Sequence, residues 1–254
     1  LEFLRAQDAT GFGHKDVSYD PATGRVVGLR GGEDAAARVK SILTDASRLA
    51  GEWLRTALPD YAGDLTPDRV TLRTQEEATR SLRVTARNDL LHIDQFPTRP
   101  SYGRRVLRLS VNIHPDEPWV WATADRFPEL LTRFAHLLRV PDLTDAAWRA
   151  ETPTVVRLLR RGRAGRSEYD FWMLRLHHYL KEDIAFQVRA ARRLWTFPAG
   201  SAWLLFSDGV AHAQLRGRYL IDHTFFVPTG CLVAPDLAPL TLLEQHGRSH
   251  RRAG

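Results

Sequence analysis

The stretch DLLHIDQF places His92 two residues before Asp94. In an extended chain, side chains at i and i+2 leave the same face, so an imidazole and a carboxylate at this spacing can hold one ion. A second imidazole must then arrive from another strand. The chain has ten histidines. His212, in SDGVAHAQL, is the best placed, because it stands near a turn in a second strand-rich block. Two imidazoles and one carboxylate bound to one face of a metal leave its other face open, a donor set that suits non-haem iron(II). A bare H-x-D pair is common, and the long interval between Asp94 and His212 leaves another histidine open as third ligand. His177 and His178 fall on a helical segment and read as surface or core residues. His114 follows a strand into a turn and reads as structural.

The open face of such a metal takes 2-oxoglutarate and dioxygen. A dicarboxylate needs cations, and the planar guanidinium fork of arginine matches a carboxylate with two parallel hydrogen bonds. Arg108 in RRVLRLSVNI and Arg73 in TLRT are the candidates, both in strand-like runs beside the metal segment. Solvated strand arginines are the alternative reading of both.

These residues need a scaffold of strands. RVTLRT, SLRVTA, DLLHIDQF and RRVLRLSVNI are short β-branched runs separated by turn signals, which predicts antiparallel strands over 69–122. LWTFP, SAWLLFSD, HAQLRG and YLIDHTFFVP predict more strands over 194–232. Between them, 123–193 reads as a helical insertion. Leu130, Leu131, Phe134, Leu137 and Leu138 share one helical face. Ser167 and Asp170 have capping-box spacing ahead of the stripe Tyr169, Trp172, Met173, Leu176 and Leu180. Residues 1–68 read as an irregular arm, with a hairpin in VSYDPATGRVVGL, and then a helix over 34–58 ended by Pro59. The C-terminal residues 244–254 read as a disordered basic tail. The order predicts a single α+β domain over 1–254 with a mainly β core: a double-stranded β-helix, or jelly roll, with flanking helices.

Composition narrows the function. The 254 residues are 43% hydrophobic and 26% charged, enough for a large core. The single cysteine, Cys231, allows no intrachain disulfide framework and suits a reducing compartment. No run is long and apolar enough to span a membrane, and LEFLRAQDATGFG lacks the basic start and apolar centre of a secretion signal. The net charge of +6 favours an anionic partner. The basic run RLLRRGRAGR at 157–166 reads as a solvated connection or as part of such a contact.

Taken over most of its length, the sequence resembles the Kdo hydroxylase family. The resemblance runs through HKDVSYDPATGRVVGL, RNDLLHIDQFPTRPSYGRRVLRLSVNIHP, RSEYDFWMLRLHHYLKEDIAFQ and FPAGSAWLLFSDGVAHAQLRGRYLIDHTFFVP. It implies an iron(II)- and 2-oxoglutarate-dependent oxygenase that hydroxylates the 3-position of 3-deoxy-D-manno-oct-2-ulosonic acid on lipid A. It implies metal ligation by His92, Asp94 and His212, and cosubstrate contacts from Arg73, Arg108 and Trp121. It also implies an anionic glycolipid partner at the cytoplasmic face of the inner membrane, and no nucleic acid. In the family an arginine precedes the tryptophan by two residues; here that position is Trp119, and Arg218 is a candidate substitute. Arg216, Arg218 and His223 also replace smaller or neutral residues, which points to a shifted substrate. Two rival readings remain: an oxygenase of this architecture with another substrate, and a non-enzymatic binder of anionic glycolipid or nucleic acid.

Overall fold

The alternation in RVLRLSVN sets the architecture. Its strand, Arg105–Asn112, turns Leu107, Leu109 and Val111 to one face, and Arg108, Ser110 and Asn112 to the other. The computed structural model describes residues 2–5, 15–29, 32–141, 144–150 and 165–253. Its strands are β1 (Val17–Asp20), β2 (Arg25–Val27), β3 (Thr66–Arg73), β4 (Arg105–Asn112), β5 (Trp119–Arg126), β6 (Arg193–Phe197), β7 (Ala202–Phe206), β8 (Val210–Arg216) and β9 (Leu220–Val227). They form two antiparallel sheets, ordered β2-β1-β3-β9-β4-β7 and β6-β5-β8. Trp119 and Trp121 of the small sheet pack on Trp203, Leu205 and Leu220 of the large one. The two inner faces therefore meet, as the predicted jelly roll requires.

The outer face of the large sheet is apolar. Helix α2 (Glu33–Ala57; α1 is the turn Glu2–Arg5) covers it. Val39 and Leu43 pack on Val17, Val70 and Leu72, and Leu54 packs on Leu107, Leu109 and Phe225. The insertion covers the other side with α3 (Phe127–Leu138), α4 (Asp145–Arg149), α5 (Glu168–Glu182) and α6 (Ile184–Arg189). Tyr169, Trp172, Met173, Leu176 and Leu180 are all buried, as the stripe predicts. Each large apolar side chain so buried contributes about 1.5–3 kcal/mol. Leu137 departs from the expected face and is 52% exposed. The α5 capping box is formed as predicted.

Several expectations need correction. SLRVTA is not a strand: Val84–Ala86 is a 3-10 turn with Val84 exposed, and its carbonyls accept from lysine side chains instead of a neighbouring strand. DLLHIDQF is extended, but it forms only isolated bridges among the described residues, His92 with His212 and Phe96 with Arg99, and no continuous ladder. The hairpin predicted in the N-terminal arm is formed by β1 and β2, and the arm goes further than expected, since β1 also pairs with β3 and joins the large sheet. Strand β3 begins before residue 69, and β5 continues past 122 into α3. The tail expected to be disordered is helical through Ala253 as α7 (Pro239–Ala253). Leu240 and Leu243 at helical spacing anchor it in the core, and Glu244 pairs with Arg149 at 2.8 Å. Of RLLRRGRAGR, residues 157–164 lie outside the described residues.

Asp170 ties the insertion to the segment carrying the metal-ligand candidates. Its Oδ2 accepts from Ser167. Its Oδ1 accepts from Gln95 Nε2 at 2.9 Å, from Ser101 N at 2.8 Å and from Tyr102 N at 3.2 Å. Asp170→Ala would leave several buried donors unsatisfied, so we expect a loss of about 3 kcal/mol or more in urea unfolding. A loss below about 1 kcal/mol would show that the carboxylate is dispensable to the insertion.

Candidate metal centre

The extended segment 91–95 uses both of its edges. On one edge, His92 N donates to His212 O at 3.0 Å, His212 N donates to His92 O at 2.8 Å, and Asp94 N donates to Ser207 O at 2.8 Å. On the other edge, helix side chains replace a neighbouring strand. Gln187 both donates to and accepts from the Leu91 backbone at 2.9 Å, and His177 Nδ1 donates to Ile93 O at 2.6 Å. Every buried backbone group must find a partner, and these side chains supply what a strand would. The apolar Leu91 and Ile93 then enter the core, while His92 and Asp94 face inward. Alternation thus does what the sequence predicts, although the segment is not a regular strand.

His92, Asp94 and His212 converge. One ligand atom from each lies within 4.8 Å of the others, and all three residues are buried. His92 Nε2 is 3.7 Å and His212 Nε2 is 3.9 Å from an Asp94 oxygen. The two Nδ1 atoms are engaged by backbone carbonyls of their own segments, Leu90 O at 2.7 Å and Val210 O at 3.0 Å. That fixes the tautomers and leaves both Nε2 atoms as inward lone pairs. His212 Nε2 is buried with no hydrogen-bond partner among the described residues. Burial first, then nearby cations including Lys181, push the His92 pKa well below the usual histidine value. Burial likewise lowers that of His212. For Asp94, burial opposes ionisation, but Arg108 and then His212 outweigh it and hold the carboxyl at about 2. Neutral imidazoles and an ionised carboxylate are the forms a metal needs, so the residues fit the iron site. The Trp121 ring stacks on His212, centroids 5.3 Å apart and planes 13° apart, and fixes it from behind.

Beyond Asp94 runs a chain of alternating charges. Arg108 Nη2 lies 2.6 Å from Asp94, an ion pair whose direction falls short of a hydrogen bond. Arg108 Nη1 and Arg73 Nε both donate to Asp222 Oδ2, at 3.2 and 2.6 Å. Arg73 donates on to Asp16 at 3.0 Å, and Arg80 donates to Asp16 at 2.8 Å. Arg80 lies 3.5 Å from Glu77, which also pairs with Lys15. Cations and anions balance along this chain. Asp222, Asp16, Glu77 and Lys15 are absent from the sequence-predicted site. Only Asp222 left a signal: it is a carboxylate within the largely apolar strand YLIDHTFF.

A cavity of about 330 Å³ opens over this cluster. His92, Asp94, Arg73, Arg108, Asp222, His177 and Lys181 line it. Trp121 lies behind His212, outside that lining. Trp119 is buried and packs against Gly217, where φ is +140° and a Cβ would approach its ring to 2.5 Å. Arg218 does not take the place of the missing arginine, because it is exposed and donates to Thr74 O. Arg216 is also exposed, and His223 is buried under α2 on the outer face, 3.4 Å from Ser47. The substitutions at 216, 218 and 223 thus lie away from the cavity and give no ground for a shifted substrate. His177 is a satisfied core residue that also reaches the site: its ring meets His92 edge-on at 5.2 Å.

The 3-deoxy-D-manno-oct-2-ulosonic acid (Kdo) hydroxylase profile matches residues 1–249. The chain belongs to the Kdo hydroxylase family. Among solved structures it is similar to the apo form of the Kdo hydroxylase KdoO, described as a non-heme Fe(II) alphaketoglutarate dependent dioxygenase. That match has 29% identity and a TM-score of 0.81, over 94% of this chain and 77% of the other. It is also similar to KdoO in complex with cobalt(II), at 30% identity and a TM-score of 0.81, over 92% and 77%. KdoO in complex with alphaketoglutarate and Fe(III) matches at 29% and 0.80, over 91% and 76%. No curated protein matches. Family membership adds a bound metal in relatives to a donor set already fitted for one.

Replacing any of the three donors with alanine should cost more than the roughly 10–100-fold in metal affinity typical of supporting residues. Cobalt(II) titration of His92→Ala, Asp94→Ala and His212→Ala, each with its circular dichroism recorded, checks this. Near-normal affinity in His212→Ala would make another histidine the third ligand.

Proposed function

We propose that this protein is an iron(II)- and 2-oxoglutarate-dependent dioxygenase that hydroxylates the 3-position of Kdo in Kdo-lipid A. The observation that carries the reading is the His92–Asp94–His212 cluster at a cation-lined cavity, in a chain matched along nearly its whole length by this family. When bound, iron supplies the oxygen-activating chemistry, with 2-oxoglutarate as reductant and succinate as by-product.

The protein's own residues bind, orient and exclude water. His92 and His212, oriented by their Nδ1 bonds, would hold the iron together with Asp94. Arg73 and Arg108 face the same cavity and present the cations for the distal carboxylate of 2-oxoglutarate. The Arg108 Nε atom is buried with no partner among the described residues, so donor capacity remains. The charge chain already balances, and a divalent cation added together with a dicarboxylate dianion preserves that balance. Trp121 keeps the His212 ring oriented, and its indole Nε1 is a further donor with no partner among the described residues.

The product assay is direct. With iron(II), 2-oxoglutarate, dioxygen and Kdo-lipid A, succinate should form in proportion to a product heavier by one oxygen at C3, measured by mass spectrometry and NMR. Succinate without acceptor oxidation would point to a different substrate. Arg108→Ala and Arg73→Ala, assayed at saturating metal, should each raise the 2-oxoglutarate requirement at least about thirtyfold, roughly 2 kcal/mol. Unchanged affinity in both removes them from the clamp.

The substrate reading places the enzyme at the cytoplasmic face of the inner membrane. No helix of the described residues is long and apolar enough to cross a membrane. The net charge of +6 supports peripheral attraction instead, at about 1 kcal/mol for each lysine or arginine near an anionic surface. Vesicle co-sedimentation should therefore favour anionic over neutral lipid and weaken as the Debye length falls to about 8 Å at 0.15 M salt. Equal, salt-independent partitioning would assign the charge another role.

A further inference from the structure

Lys181 is the buried cation that the charge chain leaves over. It is 4% exposed, lies in the C-terminal turn of α5 and lines the metal cavity. Its Nζ donates to Thr85 O at 3.2 Å, beside Lys15, which donates to Ala86 O at 2.6 Å. Lys15 has Glu77 as counter-ion. Lys181 pairs with no carboxylate among the described residues, and an ammonium has three donors to satisfy. A buried charge without a partner is costly, and here it faces a cavity. Burial first, then Lys15, draws its pKa down to about 7, the cost of standing without an anion.

Its position relative to the metal ligands follows from helix geometry. Lys181 is one turn beyond His177 on the same face of α5, and the His177 ring touches His92. The substrate's own connectivity asks for a cation here. In a 3-deoxy-2-ulosonic acid the carboxyl carbon is two bonds from C3, hence about 2.5 Å away. When C3 faces the metal, the acid group stays inside the cavity and has to be neutralised there.

We infer that Lys181 binds the carboxylate of the sugar-acid acceptor and so aligns C3 with the metal centre. This deepens the proposed function and rests on it. Arg73 and Arg108 serve the cosubstrate from the sheet side, and Lys181 serves the acceptor from the helix side.

The test uses equilibrium binding, so it does not depend on turnover. The probes are the methyl glycoside of Kdo, its C1 methyl ester and 2-oxoglutarate, titrated calorimetrically into the cobalt(II)-loaded full chain. Wild type should prefer the acid to the ester by about tenfold or more, the scale of one hydrogen bond to a charged group. Lys181→Met, which keeps the length and removes the charge, should abolish that preference and leave 2-oxoglutarate affinity unchanged. Lys181→Gln should behave likewise. Three results would overturn the assignment: loss of 2-oxoglutarate affinity with the acid preference kept, equal weakening of acid and ester, or no change at all. A wild-type protein that does not distinguish acid from ester would overturn the substrate reading itself, together with the assignment.

Discussion

The backbone bridge between His92 and His212 is the constraint on which the site depends. Two hydrogen bonds, at 3.0 and 2.8 Å, join segments 120 residues apart in sequence and set two imidazoles side by side. A one-residue slip of segment 91–95 in that register would turn His92 and Asp94 together away from His212. The bridge is a single pair, so its precision must come from elsewhere. It comes from α5 and α6, where His177, Gln187 and Asp170 bond residues 91–102. The helical insertion is therefore part of the metal site's support, even though it contributes no proposed ligand.

Electrostatics sets the second requirement. A buried carboxylate beside two buried imidazoles would otherwise be driven toward its neutral form. Arg108 prevents this for Asp94, and Asp222 in turn bridges Arg108 and Arg73. The chain continues through Asp16 and Arg80 to Glu77 and Lys15. This is a costly arrangement for stability alone, since apolar residues of similar volume often replace buried ion pairs without loss. A site that must hold a cation and a dianion together accounts for its presence.

Much of this was legible in the sequence. Alternation in RVLRLSVN and YLIDHTFF, the hairpin at VSYDPATGR, the capping box at Ser167 and the H-x-D spacing each express a local rule, and the structure follows them. What was not legible is long-range. Nothing near SLRVTA announces that lysines from elsewhere bind its carbonyls and hold it as a turn. Nothing in HGRSHRRAG reveals that Leu240 and Leu243 anchor its helix in the core. Lys181 carries no sequence signal of its own beside an apolar stripe; only the folded chain places it at the cavity, without a carboxylate partner among the described residues. The segment at 216–223 misled in the opposite way: its unusual charges drew attention, yet Arg216 and Arg218 are exposed and His223 lies under α2.

The central claim is that one iron(II), held by this cluster, is chelated by 2-oxoglutarate. Anaerobic titration of iron(II) into the protein with 2-oxoglutarate, followed by the visible charge-transfer absorption of a chelated 2-oxo acid, tests it most directly. A band that saturates at one equivalent of iron, and is absent when 2-oxoglutarate is replaced by succinate, is the expected result. No band, or a band that survives in His92→Ala and Asp94→Ala, would contradict it.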